Sequence, residues 1–382
     1  MTQMFASPGR YVQGYKEIRN LSSHAMNFGK SFAVITSKGR AASLSEEVQK
    51  SFDGKGCQLE FLTFEGECSN TEIQRLTDLV KQSPNKPDCV IGLGGGKVLD
   101  TAKAVAYYCG TPIIIVPTIA SNDAPVSALS VIYDDEGTFI DCLFYPKNPE
   151  VVLIDTDIIV NAPVRLLVAG MGDALATFYE ARTCVEAYRD NFLKTGSSMS
   201  SSSMAMKATA TSYGLAKLCK EILFEYGIEA KLAAEKKQVT KAVDRIIEAN
   251  SLLSGIGFES NGVATAHAVY CGFTALKGRE HLFHGEYVAF GTIAMLALEG
   301  RDRREIDEVV RFCLSVGLPV TFEDMNLGDM TDAELDIVVD TAASPAQTSA
   351  VEPFEVTEHE MKAAIIEADC IGRLYKNGGS LI

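Results

Sequence analysis

The stretch DCVIGLGGGKVLDTAKAVA, residues 88–106, decides the fold. Its first part, DCVIGL (88–93), is a short apolar run of the kind that forms a buried strand. Ile91-Gly92-Leu93-Gly94-Gly95-Gly96-Lys97 then turns the chain into an amphipathic segment spanning 97–109. Glycines at such a strand-to-helix turn let backbone approach a phosphate, and the free N–H groups of the helix start bind the anion. Lys97 adds a positive charge at the same end. The spacing is neither GxGxxG nor a Walker A loop, so ATP is not implied. Taken alone, the turn reads equally well as a phosphate cradle or as a tight turn.

The same alternation extends in both directions. SFAVIT (31–36), CQLEFLTF (57–64), PIIIVP (112–117) and VVLID (151–155) read as strands, with helical patterns near 44–53 and 71–82 between them. Strand–helix alternation predicts a parallel sheet covered on both faces. ALSVIYDDEGTFIDCLFY (128–145) departs from it: two strand-like runs flank Asp134-Asp135-Glu136-Gly137, which predicts a hairpin. The loop VPTIASNDAP (116–125) follows a strand and lies at the carboxyl edge of the predicted sheet, where open α/β sheets bind ligands. Thr118, Ser121 and Ser127 offer hydroxyls for phosphate or ribose there, and Asp123 is a carboxylate in a polar loop between two prolines, where its plain structural reading is an Asx turn or a cap.

Beyond Asn161-Ala162-Pro163 the pattern becomes Ala-, Leu- and Glu-rich. KAVDRIIEANSLLSGIGFES (241–260) and EHEMKAAIIEADCIGRLYK (358–376) have helical spacing. The expectation is therefore a Rossmann-like α/β domain over 1–161 and an all-helical domain over 162–382. SSMSSSS (197–203) is low-complexity and receives no function.

Composition narrows the functional class. The net charge of −15 is spread along the chain, which disfavours a nucleic-acid partner. No apolar run reaches the roughly 18 residues of a membrane helix, and MTQMFASPGR (1–10) lacks the pattern of a secretory signal, so the expected location is the cytoplasm. The ten cysteines show no CxxC pair; Cys89 and Cys313, for example, sit in apolar runs as small buried hydrophobes.

Four of the five histidines fall in the helical half. His267 lies in an apolar helical segment, His284 follows one helical turn after His281, and Asp173 sits in GMGDALATFYEA. Each has a plain structural reading: a satisfied core histidine for His267, a helix cap for Asp173. Together they form an Asp/His/His set without thiolate, the composition of a catalytic metal site with an open fourth position. HEXXH is absent, so a zincin peptidase is not supported. Spacing alone does not bring the three together.

The ordered motifs SPGRYVQG (7–14), GECSNTEI (66–73), GGGKVLDTAKAVA (94–106), PTIASNDAPVSALSVIY (117–133), GMGDALATFYEAR (170–182), GFESNGVATAHAV (257–269) and HGEYVAFGT (284–292) resemble the glycerol dehydrogenases, a branch of the iron-containing alcohol dehydrogenase superfamily. The resemblance covers nearly the whole chain. It implies a dehydroquinate-synthase-like architecture with the active site in the cleft. Asp173, His267 and His284 would bind zinc (Zn2+) or another divalent metal, with His281 nearby but not a ligand. Gly95, Gly96 and Lys97 would hold the pyrophosphate; Thr118, Ser121, Ser127, Leu129 and Tyr133 would line the nicotinamide side; Asp123 would contact the polyol. Asp123 and His267 are thus the expected catalytic residues, and a homo-oligomer is expected. Iron-type relatives usually place a further histidine one turn after the ligand Asp; here it is Thr177, which fits a three-ligand zinc branch.

Two positions depart from the family. NAD-using members usually end the first strand with an acidic residue for the adenosine ribose, whereas this chain has Ser37, followed by Lys38-Gly39-Arg40. NAD stays the expected cofactor, with relaxed choice or NADP(H) preference as the alternative. Tyr270 stands where close relatives often carry histidine. The implied reaction is oxidation of glycerol or a related vicinal diol at its secondary hydroxyl, giving dihydroxyacetone from glycerol. The alternatives are an NADPH-preferring reductase of hydroxyketones, a dehydroquinate-synthase-like cyclase, which would need clustered Lys and Arg near the histidines, and a non-catalytic binding protein. Only Lys277 and Arg279 supply such charge.

Overall fold

The structure is a computed structural model and describes residues 2–193, 206–279 and 282–382. Six strands form one fully parallel sheet, in the spatial order Tyr11–Gly14, Val151–Asp155, Ile113–Pro117, Cys89–Gly94, Ser31–Ser37 and Gln58–Phe64. The order in which the chain lays down strands reverses between Ser31–Ser37 and Cys89–Gly94, which makes their carboxyl ends the topological switch point where such sheets bind dinucleotides. The expected strands are all present, and Leu129–Tyr133 pairs antiparallel with Phe139–Phe144 as the expected hairpin, outside the main sheet. Tyr11–Gly14, an edge strand, carries no alternating pattern and is not among the strands expected from the sequence.

The period-two alternation of strand side chains divides the core. Phe32, Val34, Ile91 and Leu93 pack on one face with Leu21, Val48 and Phe52. Ala33, Ile35, Val90, Ile115 and Ile154 pack on the other, and that core runs on without a break into the helical half through Leu175, Tyr179 and Phe290. The helix after Ser31–Ser37 spans Lys38–Phe52, six residues earlier than the apolar pattern predicts, so Lys38-Gly39-Arg40 is the first helical turn.

The helical half holds the long helices Val164–Glu186 and Ala210–Glu235 and shorter ones to Lys376. Thr209, Thr331 and Thr357 open three of them with reciprocal capping boxes. Its one exception among the described residues is the two-residue strand Met206–Lys207, paired with Thr2–Gln3. The helical run 241–260 is interrupted by a π-helical turn, Ala249–Leu253, between Lys241–Glu248 and Ser254–Asn261. Such widened turns recur at functional sites. No helix among the described residues is long and apolar enough to cross a membrane.

Candidate metal and cofactor site

Two helices meet backbone to backbone at one point. A Cβ on Gly285 would stand 1.9 Å from the Ala169 carbonyl oxygen, and one on Gly172 would stand 2.2 Å from that of Gly285. Only glycine at both positions permits this approach. The neighbouring residues in sequence are Asp173, on Val164–Glu186, and His284, the first residue of His284–Leu298. The contact therefore brings the carboxylate and the imidazole together: Oδ1 of Asp173 lies 3.1 Å from Nε2 of His284. His267, third residue of Thr265–Thr274, brings Nε2 to 3.6 Å of the same oxygen. One ligand atom from each residue lies within 4.8 Å of the other two.

The donor set fits a cation. Ligand atoms about 2.0–2.1 Å from a tetrahedral zinc stand about 3.4 Å apart, and the 3.1 and 3.6 Å separations bracket that value. Asp173 is buried, yet its Oδ1 has no hydrogen-bond partner, an arrangement costly unless something positive meets it. The electrostatics agree. Burial pulls the His267 pKa down, but the Glu180 and Asp173 carboxylates outweigh it and hold the imidazolium well above its ordinary range. Burial likewise pushes the Asp173 carboxyl up, and the two imidazoles more than reverse it. The site attracts positive charge.

Glu180 is the main addition to the residues expected from the sequence. It lies two helical turns after Asp173 on the same face, fully buried. Its Oε2 is 2.7 Å from His267 Nδ1, while Oε1 accepts the backbone N–H groups of Ala264 (2.8 Å) and His267 (3.0 Å). A carboxylate on Nδ1 leaves Nε2 free to ligate, the usual arrangement behind a metal-bound histidine. The i, i+7 spacing of Asp173 and Glu180 is the available signal, but nothing in it names His267 as the partner.

Thr177, between them, has its hydroxyl 2.8 Å from that of Ser254, and Ser254 donates to Asp123 Oδ2 at 2.7 Å. The Asp123 N–H in turn donates to Asp173 Oδ2 at 3.3 Å. Burial and the neighbouring Asp173 push the Asp123 carboxyl well up. The π-helical turn holds this loop as well: Asn250 donates to the carbonyls of Ala120 and Leu167. Tyr270 packs edge-on against His284, ring centres 4.3 Å apart. His281 and segment 197–203 lie outside the described residues.

Of the residues expected around the cofactor, Ser37, Gly95 and Thr118 lie at or just after the carboxyl ends of their strands. Gly95 caps the helix Gly96–Cys109, and Thr118 N–H donates to Gly94 carbonyl, joining the two loops. Lys97 pairs with Glu67 at 2.5 Å and sits 6.0 Å from the Tyr133 ring centre. Ser37 ends its strand beside Thr36, the register partner of Leu93. Thr118, Ser121 and Leu129 are buried and Tyr133 half-buried. Ser127 is fully buried, and its hydroxyl donates to the Ala124 carbonyl.

Comparison with known proteins gives the family. The family model for iron-containing alcohol dehydrogenase matches residues 8–156. The chain is 46% identical to the glycerol dehydrogenase of Thermotoga maritima, across 97% of this chain and 98% of that protein. It is 39% identical to the glycolaldehyde reductase of Halobacterium salinarum, across 99% and 100%. The crystal structure of glycerol dehydrogenase from Schizosaccharomyces pombe superimposes with a TM-score of 0.91 at 33% identity, covering 98% of this chain and 93% of that one. The sheet with its switch point, the helical half and the Asp/His/His cluster thus accompany full-length similarity, and the chain belongs to the glycerol dehydrogenase branch of the iron-containing alcohol dehydrogenase superfamily.

Proposed function

We propose that this enzyme is a zinc-dependent polyol dehydrogenase, oxidising glycerol or a related vicinal diol at the secondary hydroxyl to the ketone with NAD. The observation that carries the reading is the buried Oδ1 of Asp173, which has no hydrogen bond and faces two imidazoles at 3.1 and 3.6 Å, with the Asp123 N–H on the other carboxylate oxygen. A divalent cation held by Asp173, His267 and His284 supplies Lewis acidity that lowers the pKa of a substrate hydroxyl, and a nicotinamide supplies the hydride acceptor. The protein's own contribution is positional. Glu180 fixes the His267 ring, and Ser254 fixes the Asp123 carboxylate, which orients the polyol. Tyr270 walls the pocket against His284. Thr177 favours zinc over a four-ligand iron site, because its hydroxyl is committed to Ser254 and offers no imidazole.

Gly95, Gly96 and Lys97 are the proposed pyrophosphate cradle, with Thr118, Ser121, Ser127, Leu129 and Tyr133 on the nicotinamide side. For the adenosine end we propose NAD use with tolerance of NADP. Ser37 carries no charge to repel a 2′-phosphate, and the neighbouring Lys38 is held only by an exposed pair with Glu65 at 3.1 Å. The test compares kcat/KM for both cofactors before and after Ser37→Asp. The variant is expected to discriminate against NADP at least tenfold more than the wild type; a strong NAD preference unmoved by the substitution refutes the assignment. A cyclase acting on a phosphorylated substrate is disfavoured, since Arg279 is tied to Glu334 and Asp329. A relative named glycolaldehyde reductase favours including hydroxyaldehydes and hydroxyketones, in the reducing direction, in the substrate panel.

A further inference from the structure

A lysine ammonium lies buried in the α/β half, away from the metal cluster. Lys103 is 3% exposed, on the helix Gly96–Cys109. Its ammonium donates to the Leu129 carbonyl at 2.5 Å and the Ala124 carbonyl at 2.9 Å, and it forms an ion pair with the Asp100 carboxylate at 2.8 Å. The Ser127 carbonyl and hydroxyl stand farther off, both at 3.4 Å. Carbonyls from three residues of one segment thus converge on a single positive charge, as they would on a bound cation.

Further polar groups of that segment are held by neighbouring buried side chains. Asp100 accepts the Val131 N–H at 3.0 Å, Glu259 accepts the Ala128 N–H at 2.5 Å, and Asn148 links Glu259 to the Val126 carbonyl. Segment 124–131 starts directly after Asp123 and contains Ser127 and Leu129, two of the residues assigned to the nicotinamide side. Lys103 also sits two turns down the helix that opens at the glycine turn. One helix therefore carries the proposed pyrophosphate cradle at its start and the anchor of the nicotinamide segment in its middle.

We propose that Lys103 is a positioning residue for hydride transfer: it sets the segment between the metal cluster and the cofactor by drawing the Ala124 and Leu129 carbonyls onto one point. This rests on the dehydrogenase reading. A displacement of about 1 Å in such a segment costs on the order of 100-fold in rate.

The test uses the metal-loaded enzyme with Lys103→Met, and with Lys103→Met combined with Asp100→Asn, which removes the carboxylate that the single change strands. The double variant is expected to regain most of the lost Tm and to keep wild-type metal content. Its kcat is expected to stay 10- to 100-fold low, with faster amide exchange at residues 128–131 and several-fold weaker NADH binding. Wild-type kcat in the folded double variant overturns the proposal, as does a loss of kcat that tracks lost metal. Should the Met variants not fold, Lys103→Gln serves, since its amide nitrogen ends one bond, about 1.5 Å, short of the position from which Lys103 Nζ reaches the Leu129 carbonyl; wild-type kcat there overturns the proposal too. Exchange and NADH binding require no turnover. Failure of the wild type to oxidise any polyol therefore counts against the dehydrogenase reading, while unchanged exchange and NADH binding count against Lys103.

Discussion

Replacing Glu180 by glutamine isolates the role of the carboxylate behind His267. Glutamine keeps one oxygen, but the wild-type carboxylate uses both: Oε1 for the Ala264 and His267 N–H groups, Oε2 for His267 Nδ1. With its oxygen toward the backbone, the substituted amide would aim its NH2 at Nδ1, forcing the ring proton onto Nε2, the atom that faces Asp173. With its oxygen toward Nδ1, two buried backbone donors lose their acceptor, at about 1–3 kcal/mol each. The first arrangement is the cheaper, so the loss falls on metal binding. Removing such a partner of a metal-bound histidine typically weakens affinity 10- to 100-fold, or about 1.4–2.8 kcal/mol. Zinc affinity is measured by competition with a chromogenic chelator, with circular dichroism and Tm as fold controls. A folded Glu180→Gln protein that binds zinc within twofold of wild type would refute the reasoning.

Two further substitutions test how the site is built. Gly285→Ala places a methyl 1.9 Å from the Ala169 carbonyl oxygen, so the two helices must part; a loss of about 1–3 kcal/mol in stability is expected, together with weaker metal binding, and unchanged values in thermal melts and metal titration contradict the helix-contact argument. Glu259 is pushed up to about 7, chiefly by burial, against the Ala128 N–H and the Asn148 amide. Because its folded pKa lies above the unfolded 4.5, its contribution to stability is complete below about 4.5 and is lost as pH rises through 7. Relative to Glu259→Gln, the wild type should therefore lose on the order of 3 kcal/mol between pH 4.5 and 8, read as a Tm difference that shifts with pH; a constant difference contradicts it.

Much of this was legible in the sequence, for identifiable reasons. Buried parallel strands such as Ile113–Pro117 are unbroken apolar runs, and the glycine turn after Cys89–Gly94 marks the carboxyl edge. The edge strand Tyr11–Gly14 escaped because it is half-buried throughout and shows no alternation. The start of Lys38–Phe52 escaped because Lys38-Gly39-Arg40 offers no apolar residue to count. Asp173, His267 and His284 were recognisable as candidates through their motifs, but their convergence depends on Gly172 meeting Gly285, a contact 113 residues apart in sequence and invisible to periodicity. Glu180 and Ser254 meet the candidate site only through partners distant in sequence, His267 for the first and Asp123 and Thr177 for the second, and the π-helical turn just before Ser254 has no sequence pattern distinct from an α-helix. Lys103 reads on sequence as one more residue of an amphipathic helix; its burial under segment 124–131 gives it meaning.

The most direct test of the central claim is metal content against activity in one preparation: metal per chain by elemental analysis, and polyol-dependent nicotinamide reduction before chelation, after it, and after adding zinc back. One divalent metal per chain is expected, with loss of activity in proportion to metal removed and recovery with zinc. Undiminished oxidation of glycerol and its vicinal-diol relatives by the metal-free protein would contradict it.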